Sequence, residues 1–401
     1  MRILVAAFGD PGHVFPAISL GRGLARRGHE VTVETWEERR AAVEGAGLGF
    51  AAAEEYRTFP PPEPDTDDGR HAADAARALL PLIERLDPAV VVSDILTLAP
   101  TLAAEAAGVP LATLIPHIYP VVESGQPFFA VGLRSPRTPV GRAVWRQGQR
   151  ALDVGLEHGR RDLNGQRERL GLPPLDHFHG GISPDLALVA TYPQLEYPRR
   201  WPAGVHVTGP MPFEVPHPDV ELPPGREPLV LVAPSTAHDS ENHLVRTALA
   251  ALAEEPVRVV ATTNRVRPQS PIAVPPNAVL VDWLSYSQLM PIASLVISHG
   301  GHGTVARALA TGAPLLLSPI TGDMGETAMR ISWAGVGRSL PWRLCRPGPL
   351  RWAARRVLAD PLFAARSRRI AAWSATHDGA DRGAELVEEL ARRHASVRTL
   401  P

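Results

Sequence analysis

Short apolar runs alternate with longer amphipathic stretches along most of the 401-residue chain. Apolar runs of about four to eight residues are typical of strands buried in a parallel sheet, and helical spacing of apolar residues is typical of the helices that cover it. The predicted strands are residues 3–8, 31–35, 89–93, 111–114, 185–190, 205–208, 229–233, 257–262, 278–281, 295–298 and 315–319. The predicted helices are residues 16–27, 37–46, 97–107, 241–253, 304–311, 324–334 and 380–393. The pattern therefore predicts an α/β fold.

The alternation stops at a proline-dense stretch, residues 210–228, and then starts again. Such a stretch is typical of a stiff connection between domains. We therefore predict two doubly wound parallel-sheet domains, similar to the Rossmann fold, that face each other across a cleft. The predicted limits are an N-terminal domain at 1–212, a linker at 213–228, a C-terminal domain at 229–375 and a closing helix at 376–401.

Two segments do not follow the alternation. Residues 56–72 are rich in proline and acidic residues, which predicts a loop. Residues 116–182 carry aromatic side chains, among them Phe128, Phe129 and Trp145. Insertions into an α/β domain commonly shape the substrate pocket, so these aromatic residues are candidates for it.

Composition excludes several mechanisms. All 41 basic residues are Arg, which excludes a P-loop ATPase, a protein kinase and Schiff-base catalysis, because each requires a Lys. The net charge of −1 gives no reason to expect nucleic acid or an anionic membrane as a partner. The apolar start of the chain is too short for a signal peptide, and no apolar run is long enough to span a membrane. A soluble cytoplasmic protein is expected.

His13 and Asp94 each follow a predicted strand, which places both on the ligand side of the first sheet. A histidine there can act as a general base near neutral pH. Asp94 can hold the tautomer of His13 and stabilise the imidazolium that forms. Other roles remain open at this point, because His13 can simply hydrogen-bond its loop and Asp94 can cap the helix that follows it.

The segment Ser298-His-Gly-Gly-His-Gly-Thr304 connects a predicted strand to a helix. Glycines let the backbone approach a ligand, and the exposed N–H groups of a helix N-terminus attract anions. The segment therefore predicts an anion site, although a purely structural loop is the alternative. Asp323 lies on the same side of the second predicted sheet, and the indole of Trp283 can stack on a nucleobase. No histidine spacing fits a known metal motif, so no catalytic metal is expected.

Several motifs in the same order resemble the family 1 glycosyltransferases of the GT-B fold, most closely the bacterial branch that glycosylates polyketides and other natural products. The resemblance extends from Arg2 to about Leu390. It rests on residues 12–16, 27–31, Asp94, Trp283, 298–304, 312–314 and 322–323. It implies inverting transfer of a sugar from a nucleotide diphosphate sugar to a hydroxyl of a small hydrophobic acceptor, with neither a metal nor another cofactor.

The resemblance also implies roles for individual residues. His13 is then the base that deprotonates the acceptor hydroxyl, Asp94 is its partner, and the aromatic insertion contributes to the acceptor pocket. The nucleotide and diphosphate would be bound by Ser235, Thr236, Trp283, Tyr286, His299, Gly301, His302, Gly303 and Thr304. Trp283 would stack on the base, and the backbone of Tyr286 would contact the base edge. Asp323 and Met324 would lie at the sugar.

Two positions differ from the family pattern. Users of UDP-sugars usually carry a Glu that binds the ribose hydroxyls where this chain has Arg307, and a missing Glu suits the 2′-deoxyribose of a dTDP-sugar. An Asp-Gln pair that binds sugar hydroxyls reads Asp323-Met324 here, and a deoxysugar tolerates a Met at that place. We therefore favour dTDP over UDP, and a deoxysugar over a fully hydroxylated sugar.

Two other functions fit the same predicted fold. One is a sugar-nucleotide epimerase, against which the aromatic insertion argues. The other is an inactive helper of a transferase, against which the presence of His13, Asp94 and His299 argues. The sequence does not distinguish a monomer from a homodimer.

Overall fold

A computed structural model describes residues 1–53, 72–176, 181–215, 220–235 and 239–398. The predicted loop at 56–72 therefore lies outside the described residues except for its last residue. Within these ranges no helix is both long and apolar enough to cross a membrane.

The first sheet has seven strands in the order β3-β2-β1-β4-β5-β6-β7, and every pair is parallel. The strands are β1 (Arg2–Ala6), β2 (Glu30–Thr35), β3 (Gly49–Ala52), β4 (Val90–Asp94), β5 (Leu111–Ile115), β6 (Ala187–Val189) and β7 (Val205–Val207). The helices of this half are α1 (Pro11–Arg26), α2 (Arg40–Gly45), α3 (Ala72–Leu86), α4 (Leu98–Ala106) and α5 (Pro139–Arg169).

The second sheet is also parallel, with six strands in the order β10-β9-β8-β11-β12-β13. Its strands are β8 (Leu229–Ala233), β9 (Arg258–Thr262), β10 (Ala278–Val281), β11 (Ala293–Ser298), β12 (Leu315–Leu317) and β13 (Gly337–Ser339). The later helices are α6 (His243–Leu252), α7 (Tyr286–Leu289), α8 (His302–Ala310), α9 (Asp323–Ala334), α10 (Pro347–Ala359), α11 (Pro361–Ser374) and α12 (Gly379–Arg398).

The strand orders confirm the predicted pair of doubly wound sheets. In each sheet the chain first moves to one side of the starting strand and then crosses to the other, so that β1 neighbours β4 and β8 neighbours β11. At such a switch point the loops after adjacent strands diverge and leave a crevice at their carboxyl ends, where ligands bind. His13 and Asp94 follow β1 and β4, and His299 follows β11, so both switch points carry candidate site residues.

Some elements differ from the sequence prediction. Helix α1 begins at Pro11, because Asp10 accepts the N–H of Gly12 as an N-cap, and it continues through Pro16. The 31-residue helix α5 lies in the segment predicted only as an insertion. Its valines at 140, 144 and 154 are at least 66% exposed, so it has no apolar stripe of the usual kind to reveal it. Strands β3 and β13 were not predicted either, because they are short and each begins with glycine.

Parts of the proline-dense connection pack against the cores of the two sheets. Phe213, the first residue of the predicted linker, is 9% exposed and packs in the core of the first sheet. Val220 and Leu222 pack on the core of the second sheet. Apolar side chains at these positions gain more from burial than from remaining in a solvated spacer.

Arg330 on α9 joins the two halves of the molecule. Its Nε donates to Glu326 Oε1 at 2.7 Å, and its Nη1 donates to Glu196 Oε2 at 3.2 Å. Its guanidinium lies 3.5 Å from the ring centre of Tyr197, and all four side chains are almost completely buried. The Tyr192 hydroxyl adds a second link, since it donates to the carbonyl of Ala306 on α8 at 2.9 Å.

The last helix returns to the first domain. Apolar residues of α12 enter the same buried cluster as Leu20 and Leu24 of α1. At its edge Arg27 and His29 bind Glu388, with an Arg27 Nε to Glu388 Oε1 distance of 2.9 Å. The hydrogen bond from Arg27, opposed by a weaker burial effect, lowers the pKa of Glu388 to about 2. The closing helix is therefore part of the N-terminal core.

We expect Leu390→Ala, at a residue that is 1% exposed in this core, to lower the free energy of unfolding by about 2–5 kcal/mol through lost burial and a cavity. Urea denaturation followed by circular dichroism measures the change. The matched control is Leu362→Ala on α11, which is 54% exposed and should change stability by less than about 0.5 kcal/mol. Equal losses in the two variants would contradict the packing role of α12.

Candidate active site

His13 and Asp94 are hydrogen-bonded. Asp94 ends β4, and His13 lies in the first turn of α1, which follows the neighbouring strand β1. The distance from His13 Nδ1 to Asp94 Oδ1 is 2.9 Å, and the second carboxylate oxygen accepts the backbone N–H of Phe8 at 3.2 Å. The Asp94 side chain is completely buried, whereas 16% of the His13 side chain is exposed.

This contact assigns the tautomer of His13. An ionised carboxylate only accepts hydrogen bonds, so Nδ1 carries the proton and Nε2 keeps its lone pair. Asp94 does not use its side chain to cap α4. Instead the Asp94 carbonyl accepts the N–H and the hydroxyl of Thr97, at 2.9 and 2.8 Å.

The electrostatic surroundings favour protonation of His13. Burial alone would lower the pKa of His13, but the charge and the hydrogen bond of Asp94 outweigh burial. Asp10 and Asp323 act in the same direction, and the pKa of His13 is raised above its ordinary value. The imidazolium that forms when His13 takes a proton is therefore stabilised.

His117 is a further candidate that sequence reasoning missed. Its ring centre lies 6.1 Å from that of His13 and 5.9 Å from that of Phe129, on which it stacks. Burial, with the neighbouring charge of His13, lowers the pKa of His117. His117 follows β5, so the same rule that identified His13 and Asp94 would have found it.

The aromatic candidates of the insertion separate into two places. Phe129 stacks on His117, whose ring neighbours that of His13. Phe128 instead packs edge to face on Trp145 of α5, with ring centres 5.3 Å apart. All three side chains are partly exposed, as a surface for an apolar ligand requires.

The glycine segment forms the turn between β11 and α8. Gly300 adopts a φ of +97°, a conformation that favours glycine, and the backbone of Met324 lies directly against it. A side chain at Gly301 would collide with the imidazole of His299. Helix geometry leaves the N–H groups of His302, Gly303 and Thr304 without intrahelical acceptors, which makes this end of α8 suitable for an anion.

The two histidines of this segment differ in their surroundings. His299 is buried, and its Nδ1 lies 3.4 Å from the carbonyl oxygen of Ala233 at the end of β8. His302 is buried beneath the start of α8, and neither of its ring nitrogens makes a hydrogen bond of normal geometry to a described residue. Burial, with the nearby His117, lowers the pKa of His302 to about 4, so this ring is neutral at physiological pH.

Ser235 lies just after β8 and is buried. Thr236 lies outside the described residues. The predicted phosphate contact of this loop therefore rests on Ser235 alone in the described part of the chain.

Trp283 and Tyr286 lie together after β10. The guanidinium of Arg265 covers one face of Trp283, 4.7 Å from the ring centre. The N–H of Tyr286 donates to Glu214 Oε1 at 2.6 Å, and the Tyr286 hydroxyl donates to Asn264. Contact of the Tyr286 backbone with a base edge stays a prediction, since Glu214 already accepts its N–H.

Arg307 lies one turn after Gly303 on α8. Its Nη1 donates to the carbonyl of Gly303 at 3.3 Å, and its Nη2 donates to the carbonyl of Phe213. Burial lowers the pKa of Arg307, while the charge of Glu214 partly compensates. The guanidinium therefore binds the helix start to the segment that connects the domains.

Asp323 begins α9 and is partly exposed, whereas Met324 is only 8% exposed and packs against Gly300. Gly325 meets the backbone of Gly132, which belongs to the N-terminal insertion. The charge of Asp323 also contributes to the raised pKa of His13. Within the described ranges, no group of three or more His, Cys, Asp or Glu side chains is placed to hold a metal ion.

A family model and two proteins of known activity match this chain. The family model described as the C-terminal domain of erythromycin biosynthesis protein CIII-like proteins matches residues 246–391. The chain is 30% identical to 4′-demethylrebeccamycin synthase of Lentzea aerocolonigenes, over 97% of this chain and 99% of the relative. It is also 30% identical to O-mycaminosyltylonolide 6-deoxyallosyltransferase of Streptomyces fradiae, over the full length of both chains.

Solved structures agree in fold. The glycosyltransferase of kitacinnamycin superimposes with a TM-score of 0.76 at 22% identity, over 97% of this chain and 98% of the other. The glycosyltransferase VinC, solved in complex with dTDP, superimposes with a TM-score of 0.71 at 20% identity, over 98% of this chain and 100% of the VinC chain. The two facing sheets are thus the architecture of GT-B glycosyltransferases.

We expect Asp94→Asn to lower the pKa of His13, because the substitution removes the largest favourable charge from a buried imidazole. A pH titration of the His13 ring signals by NMR measures the change. Asp10→Asn is the matched control, since Asp10 acts on His13 through charge alone and Asn preserves the N-cap of α1. A shift for Asp10→Asn as large as that for Asp94→Asn would contradict the assignment.

Proposed function

The chain belongs to the bacterial glycosyltransferases of antibiotic biosynthesis, and we propose that it transfers a deoxysugar from a dTDP-sugar to a hydroxyl of a small hydrophobic natural product. We propose further that transfer inverts the anomeric carbon and uses neither a metal ion nor another cofactor. The observation that carries the proposal is the hydrogen bond between His13 and the buried Asp94 at the cleft.

In the proposed reaction Nε2 of His13 takes the proton of the acceptor hydroxyl. The oxygen attacks the anomeric carbon as the bond to the diphosphate breaks on the opposite side, which inverts that carbon. The negative charge of the departing diphosphate is balanced by hydrogen-bond donors, and Asp94 stabilises the imidazolium until the proton is lost. Asp94 is buried with both oxygens hydrogen-bonded, so it holds the ring in one orientation.

The donor is proposed to lie along the second switch point. Its diphosphate meets the N–H groups at the start of α8, together with His299, Thr304 and the loop at Ser235. The positive end of the helix dipole favours such an anion, which matters in a protein that has no Lys. The nucleobase is proposed to stack on the indole of Trp283, and the sugar to lie toward Asp323 and Met324.

Two relatives support the deoxysugar and the nucleotide. The Streptomyces fradiae relative is named as a 6-deoxyallosyltransferase, and the structure of VinC contains dTDP. Arg307 stands where users of UDP-sugars usually carry Glu, and Met324 offers no strong hydrogen-bond donor to a sugar hydroxyl. We expect the enzyme to act in the cytoplasm as a monomer or homodimer, without nucleic-acid or membrane partners.

Replacing the proposed base tests the mechanism. His13→Ala should lower kcat by about 10²–10⁴, because proton transfer to a positioned base contributes that factor. Donor binding, measured by calorimetry with dTDP, should be nearly unchanged. His158→Ala on α5, whose side chain is 79% exposed, is the control and should retain full activity. Unaltered turnover of His13→Ala would remove His13 as the base.

Calorimetry also tests the nucleotide. The parent enzyme should bind a dTDP-sugar more tightly than UDP-glucose, and Arg307→Glu should shift this preference toward UDP by about tenfold, the effect of one charge-assisted hydrogen bond to a ribose hydroxyl.

The matched control is Arg307→Gln, which loses the same contacts to Gly303 and Phe213 but adds no carboxylate, and it should shift the preference less. Tighter binding of UDP-glucose by the parent enzyme would overturn the proposal for dTDP.

A further inference from the structure

A cavity of about 250 Å³ opens at the edge of the first sheet, between the carboxyl ends of β1–β3 and helices α3 and α4. This is the edge that carries His13 and Asp94. Its described lining is apolar apart from Glu34 and Thr97, and Glu34 is the one charged side chain among those lining residues.

Small side chains create the space. At the ends of the strands the lining includes Ala7 after β1 and Ala52 and Ala53 at the end of β3, so these positions carry little side-chain volume. On the facing helices the lining continues with Ala75, Ala78 and Ala99. A larger apolar residue at these positions would fill the cavity, as cores usually are filled.

Glu34 is buried in this cavity without a partner among the described residues. It is 8% exposed, it forms no hydrogen bond or ion pair within the described part of the chain, and burial alone raises its pKa to about 7. A buried carboxyl group without a partner destabilises a folded protein. A titratable side chain that is buried in a cavity and has a strongly shifted pKa is a candidate for a functional site.

The cavity adjoins the catalytic pair. Phe8 lines it, and the ring of Phe8 lies edge-on to His13, with 6.0 Å between ring centres. On its other side Phe8 packs against Trp36 at 4.8 Å. Thr97, which also lines the cavity, donates to the carbonyl of Asp94. A molecule bound beside His13 can therefore extend into the cavity along Phe8.

We propose that this cavity is a subsite for the acceptor, and that Glu34 recognises a basic amine at the end of an apolar, ring-sized part of that molecule. The proposal rests on the proposed transferase function, since it deepens the choice of acceptor. Charge complementarity favours an amine over a hydroxyl as the group that binds Glu34. An ammonium ion donates a charge-assisted hydrogen bond to the carboxylate, which is about twice as strong as a hydrogen bond between neutral groups. No described cation in the lining competes for Glu34.

Two small probes of equal size test the charge preference. We expect benzylamine to bind the full-length protein about tenfold more tightly than benzyl alcohol at pH 8, as measured by ligand-observed NMR titration. The affinity for benzylamine should rise from pH 6 to pH 8, because Glu34 ionises in this range while the amine stays protonated. The affinity for benzyl alcohol should not rise.

Variants identify the place of binding. Glu34→Gln should abolish the preference for the amine, whereas Glu30→Gln, an exposed carboxylate on the same strand, should preserve it. Ala78→Phe, at an exposed lining position where folding is not at risk, should weaken binding of both probes. Equal affinities of the parent for the two probes, an amine preference that survives in Glu34→Gln, or unchanged binding of both probes by Ala78→Phe would overturn the subsite.

Binding of dTDP is measured in the same variants. Normal dTDP binding without an amine preference would refute the subsite and leave the transferase proposal intact. An amine preference in a parent protein that binds no dTDP would refute the transferase proposal and leave the cavity as an amine-binding site.

Discussion

The buried contact of Arg330 with Glu196 fixes the position of one domain relative to the other. Both Glu196 and Glu326 lie against one guanidinium in a region almost without solvent, and Tyr197 covers its face. Removing one member of a buried ion pair leaves a charge unpaired and costs about 3–5 kcal/mol. The arrangement therefore favours one relative position of the domains over others.

The geometry of the site follows from this relative position of the domains. Arg330 lies on α9, and the same helix begins with Asp323 and places Gly325 against Gly132 of the N-terminal insertion. The first turn of α9 thereby faces His13 from the other domain. The pKa of His13 is raised mainly by Asp94 of its own domain, and Asp323 of the other domain makes a smaller contribution in the same direction.

The acceptor side and the donor side use different physical means. On the proposed donor side, backbone N–H groups and a helix dipole are available for a diphosphate, and Arg307 hydrogen-bonds the start of its own helix. On the proposed acceptor side, aromatic rings and alanines provide apolar space in which Glu34 is the one charged side chain of the described lining. Under this proposal, specificity for the acceptor would depend on few polar contacts, each with a large effect in an apolar cavity.

The two parallel sheets, and the positions of His13, Asp94, His299 and Asp323 after their strands, could be predicted from local pattern alone. Buried parallel strands are apolar runs, and a residue that follows such a run lies at the ligand edge of the sheet. Helix α5 escaped prediction, since a largely exposed helix needs no apolar stripe.

Which side chains meet depends on how the strands and helices are arranged in the fold. Asp94 had two roles open to it from sequence, and the strand order brought it to His13 by making β1 and β4 neighbours. Glu34 looks like any polar residue in a strand until helices α3 and α4 cover its face of the sheet. Contacts of this kind join residues far apart in the chain, and no local pattern encodes them, because burial and charge pairing depend on what the rest of the chain places opposite each side chain.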